Sequence, residues 1–83
     1  MTILFVNLSS QASQVTMLLR GLECDVTSSP TTHQALELIR KKTFDAILVQ
    51  EAKAERRTID FAIDTYRTRP EIPVFLMKDW VQT

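Results

Sequence analysis

Phe44-Asp45-Ala46-Ile47-Leu48-Val49-Gln50-Glu51 lies near the middle of an 83-residue chain, and its reading decides the fold. Four successive apolar residues, Ala46 to Val49, stop abruptly at two polar ones, and an amphipathic segment ending in Lys41-Lys42 precedes them. A helix leading into a short strand that is apolar on both faces is half of a βαβ unit, the signature of a parallel sheet covered on both sides. Leu48 is accordingly expected to be fully buried. In open α/β sheets the chemistry sits just beyond the carboxyl ends of the strands. Gln50 and whatever faces it are therefore the informative positions.

Working toward the amino terminus, Thr31-Thr32-His33-Gln34 has the Thr-x-x-Gln spacing of a capping box, and Ala35, Leu38 and Ile39 follow on one helical face. Glu37 and Lys41 form an i,i+4 pair in the favourable order. Cys24-Asp25-Val26-Thr27 reads as a weak strand at a sheet edge, ended by Pro30. Before it, Val15, Leu18, Leu19 and Leu22 share one face of a helix from Gln11 to Leu22, which the sole glycine, Gly21, is placed to stop. Thr2-Ile3-Leu4-Phe5-Val6 is the first strand, and Asn7-Leu8-Ser9-Ser10 is suited to capping the helix that follows.

Toward the carboxyl terminus, Ala52 to Arg69 reads as a third helix with Ile59, Ala62, Ile63 and Tyr66 inward and Arg56, Arg57, Asp60, Asp64 and Arg67 on a solvated face. Pro70 and Pro73 bracket a loop, Val74-Phe75-Leu76-Met77 is a second wholly apolar strand, and Lys78 to Thr83 is a polar tail carrying Trp80. The order is β-α-β-α-β-α-β, which specifies α/β architecture with a parallel sheet and right-handed crossovers. Wound like a flavodoxin, the strand order is 2-1-3-4.

The whole of residues 1–83 forms one domain, long enough to fold alone but with little margin. Ten basic and ten acidic residues cancel, so DNA and anionic membrane are poor direct partners. Cys24 is the single cysteine and cannot form an internal disulfide; a buried, inert thiol is the expectation. With neither a secretory n-region nor an apolar run of transmembrane length, the chain reads as soluble and cytoplasmic. His33 is the sole histidine, in the first turn of a helix, with no second histidine or cysteine at ligand spacing, so no metal site is expected. Ser9, Ser10, Ser28 and Ser29 have no histidine base in a recognisable pattern, which leaves hydrolase chemistry unsupported.

The chain resembles the receiver domain of bacterial two-component response regulators over almost its whole length. The residues that carry the likeness are Ile3-Leu4-Phe5-Val6 before a polar turn, Gln34-Ala35-Leu36-Glu37-Leu38-Ile39 leading into Phe44 to Val49, and Ile72-Pro73-Val74-Phe75-Leu76-Met77. The resemblance implies a flavodoxin-like fold, and it also marks departures. Where a receiver carries an acidic pair after its first strand, this chain has Asn7 and Leu8. Where a receiver carries its phosphate-accepting aspartate, it has Gln50, and the switch Ser or Thr aligns with Lys78. The chain stops before the fourth helix and fifth strand of a full receiver. A Mg²⁺ site needs hard oxygen ligands and phosphoryl transfer needs a carboxylate nucleophile. Asn, Leu and Gln supply neither, and Glu51, by strand alternation, is expected to point away from the pocket.

What the resemblance implies is a degenerate, truncated receiver without cofactor or catalytic residue. Such a pseudo-receiver would act as a phosphorylation-independent interaction or dimerisation module in signalling or transcription regulation. Its expected partner is a second copy or another signalling domain. The expected interaction edge is Val74, Phe75, Leu76 and Met77, with Phe75 taken as an edge donor and Trp80 either covering that strand or anchoring a partner. Asn7, Gln50 and Lys78 are expected to converge, either binding a small anion or replacing the lost site with neutral hydrogen bonds. Ile72 to Met77 also looks like a strand in the amino-terminal wing domain of bacterial amino-acid decarboxylases that use pyridoxal phosphate. That implies the alternative of a non-catalytic assembly domain of a larger enzyme. A flavin or small-ligand module is disfavoured because the turn Asn7 to Ser10 has no glycine for close phosphate approach.

Overall fold

The computed structural model of the chain describes residues 1–8, 15–51 and 56–78. The elements run β1 (Thr2–Asn7), α1 (Val15–Gly21), β2 (Asp25–Ser29), α2 (Thr32–Lys41), β3 (Ala46–Glu51), α3 (Arg56–Thr68) and β4 (Val74–Lys78). They build a four-stranded, wholly parallel sheet in the order β2-β1-β3-β4, as the alternation and the flavodoxin-like winding require. The register of β1 on β3 is pinned at its start. The Thr2 N–H donates to Asp45 Oδ2 at 2.7 Å, and the Asp45 N–H donates to the Thr2 carbonyl at 2.8 Å. The expected start of α1 at Gln11 and of α3 at Ala52, and the tail with Trp80, lie outside the described residues.

Right-handed crossovers put α1 on one face of the sheet and α2 with α3 on the other. On the α2/α3 face, Leu4, Val6, Ile47 and Val49 of the sheet close on Ala35 and Ile39 of α2, Phe61 of α3, Phe44 and Ile72, which together form the core. The α1 face is covered unevenly. α1 borders the edge strand β2, so cover thins across the sheet along the row Phe5, Leu48, Phe75. Phe5 is buried, Leu48 only half-buried and Phe75 53% exposed. Leu48 is thus not enclosed on both faces as its sequence context suggests, because no described helix reaches over it from the α1 side.

α2 follows the sequence reading. Thr31 is its N-cap in extended backbone, with its hydroxyl accepting from the Gln34 N–H at 3.1 Å, and Ala35 and Ile39 are fully buried. Glu37 meets His33 across one turn at 3.6 Å, and both are exposed. α1 departs from it. Leu18 and Leu22 are exposed and Leu19 is half-buried, and Leu22 already belongs to the turn that ends the helix. That turn is a Schellman arrangement. The Cys24 N–H donates to the Leu19 carbonyl and the Glu23 N–H to that of Arg20, which makes Glu23, at φ 63°, the left-handed residue. Gly21 is still helical and plays no such part. Cys24 is half-buried rather than enclosed.

α3 is turned relative to its own pattern. Thr58, Phe61 and Thr65 are buried, while Ile59, Ile63 and Tyr66, expected inward, are 55%, 44% and 70% exposed. Phe61 is the largest fully buried side chain of α3 and plugs the core between α2 and the sheet. Once it is seated, residues three before and four after it follow it inward because they share its face. The cost is two buried hydroxyls, of Thr58 and Thr65, without hydrogen-bond partners.

Candidate functional site

The carboxyl ends of β1 and β3 bring Asn7 and Gln50 into register, and the Leu8 N–H extends the pairing by donating to the Gln50 carbonyl at 2.8 Å. Gln50 is buried, Asn7 half-buried, and both are engaged by neighbours. Leu8 turns to the opposite face, where it packs against the core. The third member of the row is Met77 and not Lys78, which stands one residue further along, in register with Glu51. In backbone register the row is thus Asn7, Gln50 and Met77, with Lys78 next to it at the end of β4. The pairing of Ile47 with Val74 at the start of the strand carries through to this register.

Chemically this row is neutral and offers hydrogen bonds only. The nearest acid, Glu51, is buried on the core face, as strand alternation predicts, with its Oε2 accepting no hydrogen bond. Among the described residues no group of three or more His, Cys, Asp or Glu is arranged to hold a metal ion. An open polar cleft of about 650 Å³ lies elsewhere, at the amino-terminal ends of β1 and β2, where Arg20 and Lys42 are offset by Glu23 and Asp25.

β4 is the other distinctive feature. It pairs with β3 on one side and, among the described residues, has no strand on the other. The Ile47 N–H donates to the Pro73 carbonyl at 3.0 Å, so residue 73, and by alternation Phe75 and Met77, turn their backbone groups toward β3. The outward N–H and C=O groups belong to Val74, Leu76 and Lys78. Phe75 is thus an inner-ladder donor, which corrects its expected place on the edge. Its side chain and that of Leu76 stand on opposite faces, each 53% exposed, whereas Val74 and Met77 are partly covered. The exposed stripe of α3 escaped the sequence reading, which took amphipathicity for burial.

No helix among the described residues is long and apolar enough to cross a membrane. No protein-family model matches the chain, and no curated protein matches it.

Proposed function

We propose that this chain is a protein-interaction module of the pseudo-receiver kind, cytoplasmic and independent of phosphorylation, that works through the free edge of β4. The observation that carries the reading is the edge itself. Among the described residues no strand pairs with the outward backbone groups of Val74, Leu76 and Lys78, and Phe75 and Leu76 leave apolar surface on both faces of the same strand. Apolar edge strands tend to pair with other chains, and along β4 the charge that could blunt the edge is confined to its last residue, Lys78. The neutral Asn7–Gln50–Met77 row supports the absence of a phosphoryl switch, since it lacks both the hard-oxygen cluster and the nucleophile.

Amide hydrogen exchange on the dilute chain tests this reading. The Leu76 amide should exchange fast while those of Phe75 and Met77 are slow, and acetyl phosphate or beryllofluoride with Mg²⁺ should change neither the exchange nor the intact mass. Slow exchange at Leu76 in the dilute chain would mean that the edge is already covered from within. A mass gain would mean that a phosphate acceptor has been missed.

A further inference from the structure

The open edge does not stand alone. Ile59, Ile63 and Tyr66 lie on one flank of α3, about 130° around the helix from the buried Thr58–Phe61–Thr65 face. α2 lies over β1 and β2 and packs along α3, with Arg69 Nε donating to the Ile39 carbonyl at 3.3 Å. α3 connects β3 to β4, so its flank away from α2 overhangs the β4 side of the sheet. Leu76 stands in register with the core residue Val49 and therefore points to that same face. One side of the molecule thus carries a free strand edge, an exposed leucine and an uncovered helix flank.

Resting on the reading of β4 as an interaction edge, we infer that the partner is a second copy of this chain, related by a two-fold axis normal to the sheet through Leu76, with the α3 flank as the other half of the contact. The edge is its own complement. Antiparallel pairing centred on Leu76 sets Leu76 against Leu76 and Val74 against Lys78 of the second copy. These are the residues whose N–H and C=O groups point outward, so each pair exchanges both hydrogen bonds. A two-fold normal to the sheet keeps the faces matched, so both α3 helices arrive on the same side and run antiparallel. Strands spaced about 5 Å put the two β4 strands about 5 Å apart and the two β3 strands about 15 Å apart. Helices above them fall within the 8–10 Å that packed helices adopt.

Charge agrees with this arrangement. Asp60, Asp64 and Arg67 lie around the helix from the Ile59, Ile63 and Tyr66 stripe, so pairing the stripes sets no like charges against one another. The chain as a whole has no net charge, so two copies do not repel. The contact is isologous and closes on itself, and it leaves neither β4 edge open.

The test is sedimentation velocity over a micromolar concentration series, on the unmodified chain and on Ile63→Glu and Tyr66→Glu. These positions are exposed, so both variants should fold, and circular dichroism checks this. The expected result is a concentration-dependent dimer of the unmodified chain and dissociation constants at least tenfold higher for the variants. If one variant fails to fold, the other carries the comparison. A dimer that neither folded variant weakens would overturn the part given to α3. A 9.5 kDa monomer at every concentration would overturn the second copy as partner. The edge reading would still stand in that case if the Leu76 amide exchanges fast, and would fall with it if that amide is slow.

Discussion

Helices α2 and α3 are equally amphipathic, yet α2 buries its apolar stripe and α3 displays most of its own. In α2 the residues that the period selects, Ala35 and Ile39, are the ones the core takes up. In α3 the core takes Phe61 and two threonines and leaves Ile59, Ile63 and Tyr66 outside. The difference teaches that period locates an apolar stripe without saying what covers it. α2 sits between the sheet and a neighbouring helix, so any apolar flank finds cover within the chain. α3 has a described helix on one side only, and its stripe lies on the other.

The comparison can be broken most forcefully at Phe61. If its seating fixes the rotation of α3, Phe61→Ala should cost about 3–5 kcal/mol, a large part of what so small a domain has. Chemical denaturation reads this directly. A loss below about 1 kcal/mol would mean that the azimuth of α3 has another cause.

A matched pair of isoleucines sharpens the contrast. Ile39→Ala in α2 should cost about 2–5 kcal/mol, whereas Ile63→Ala in α3 should change the stability of the isolated chain by less than about 1 kcal/mol. Equal losses would show that Ile63 is packed inward. The sheet offers a parallel pair. Ile47→Ala should fall in the same range of about 2–5 kcal/mol as Ile39→Ala, and Leu48→Ala well below it, because the cover over Leu48 is incomplete.

Smaller effects test the threonines and the end of α1. Thr65→Val keeps the shape and removes a buried hydroxyl that has no partner, so it should stabilise the fold by about 1 kcal/mol. A destabilisation would reveal a hydrogen bond at that hydroxyl. Glu23→Gly should add a similar amount, about 1 kcal/mol, by relieving the left-handed backbone of a residue with a Cβ. Thermal melting resolves either change.

Much of the architecture was legible before any coordinates. The Thr31–Gln34 cap, the run Ala46 to Val49 and the alternation of strands and helices are local signals that specify a parallel sheet with right-handed crossovers, whereas the order β2-β1-β3-β4 follows only on taking a flavodoxin-like winding. The site was legible only in part. Asn7 and Gln50 meet as their strand ends suggest, but the place beside them in backbone register falls to Met77, because cross-strand register is set between strands and not by the residues of β4 alone. Which backbone groups of β4 face outward depends on a single hydrogen bond, from Ile47 to Pro73, that no residue pattern encodes. The exposure of Ile59, Ile63 and Tyr66 was illegible for a different reason. It depends on which helix neighbours α3, which is a property of the assembled layers.

The central claim is that the surface left uncovered beside α3 and β4 is where two copies of this chain meet. An isotope-filtered nuclear Overhauser experiment on a mixture of labelled and unlabelled chains tests it most directly. Pairing centred on Leu76 makes Phe75 and Met77 of the second copy a non-hydrogen-bonded pair, with Cα atoms about 4.5 Å apart and their Hα atoms facing one another. The account predicts an intermolecular Hα–Hα cross-peak between Phe75 and Met77, together with side-chain contacts between the two Ile63 residues. Intermolecular peaks confined to the exposed Met17, Leu18 and Leu22 of the α1 region, with none along β4, would contradict it.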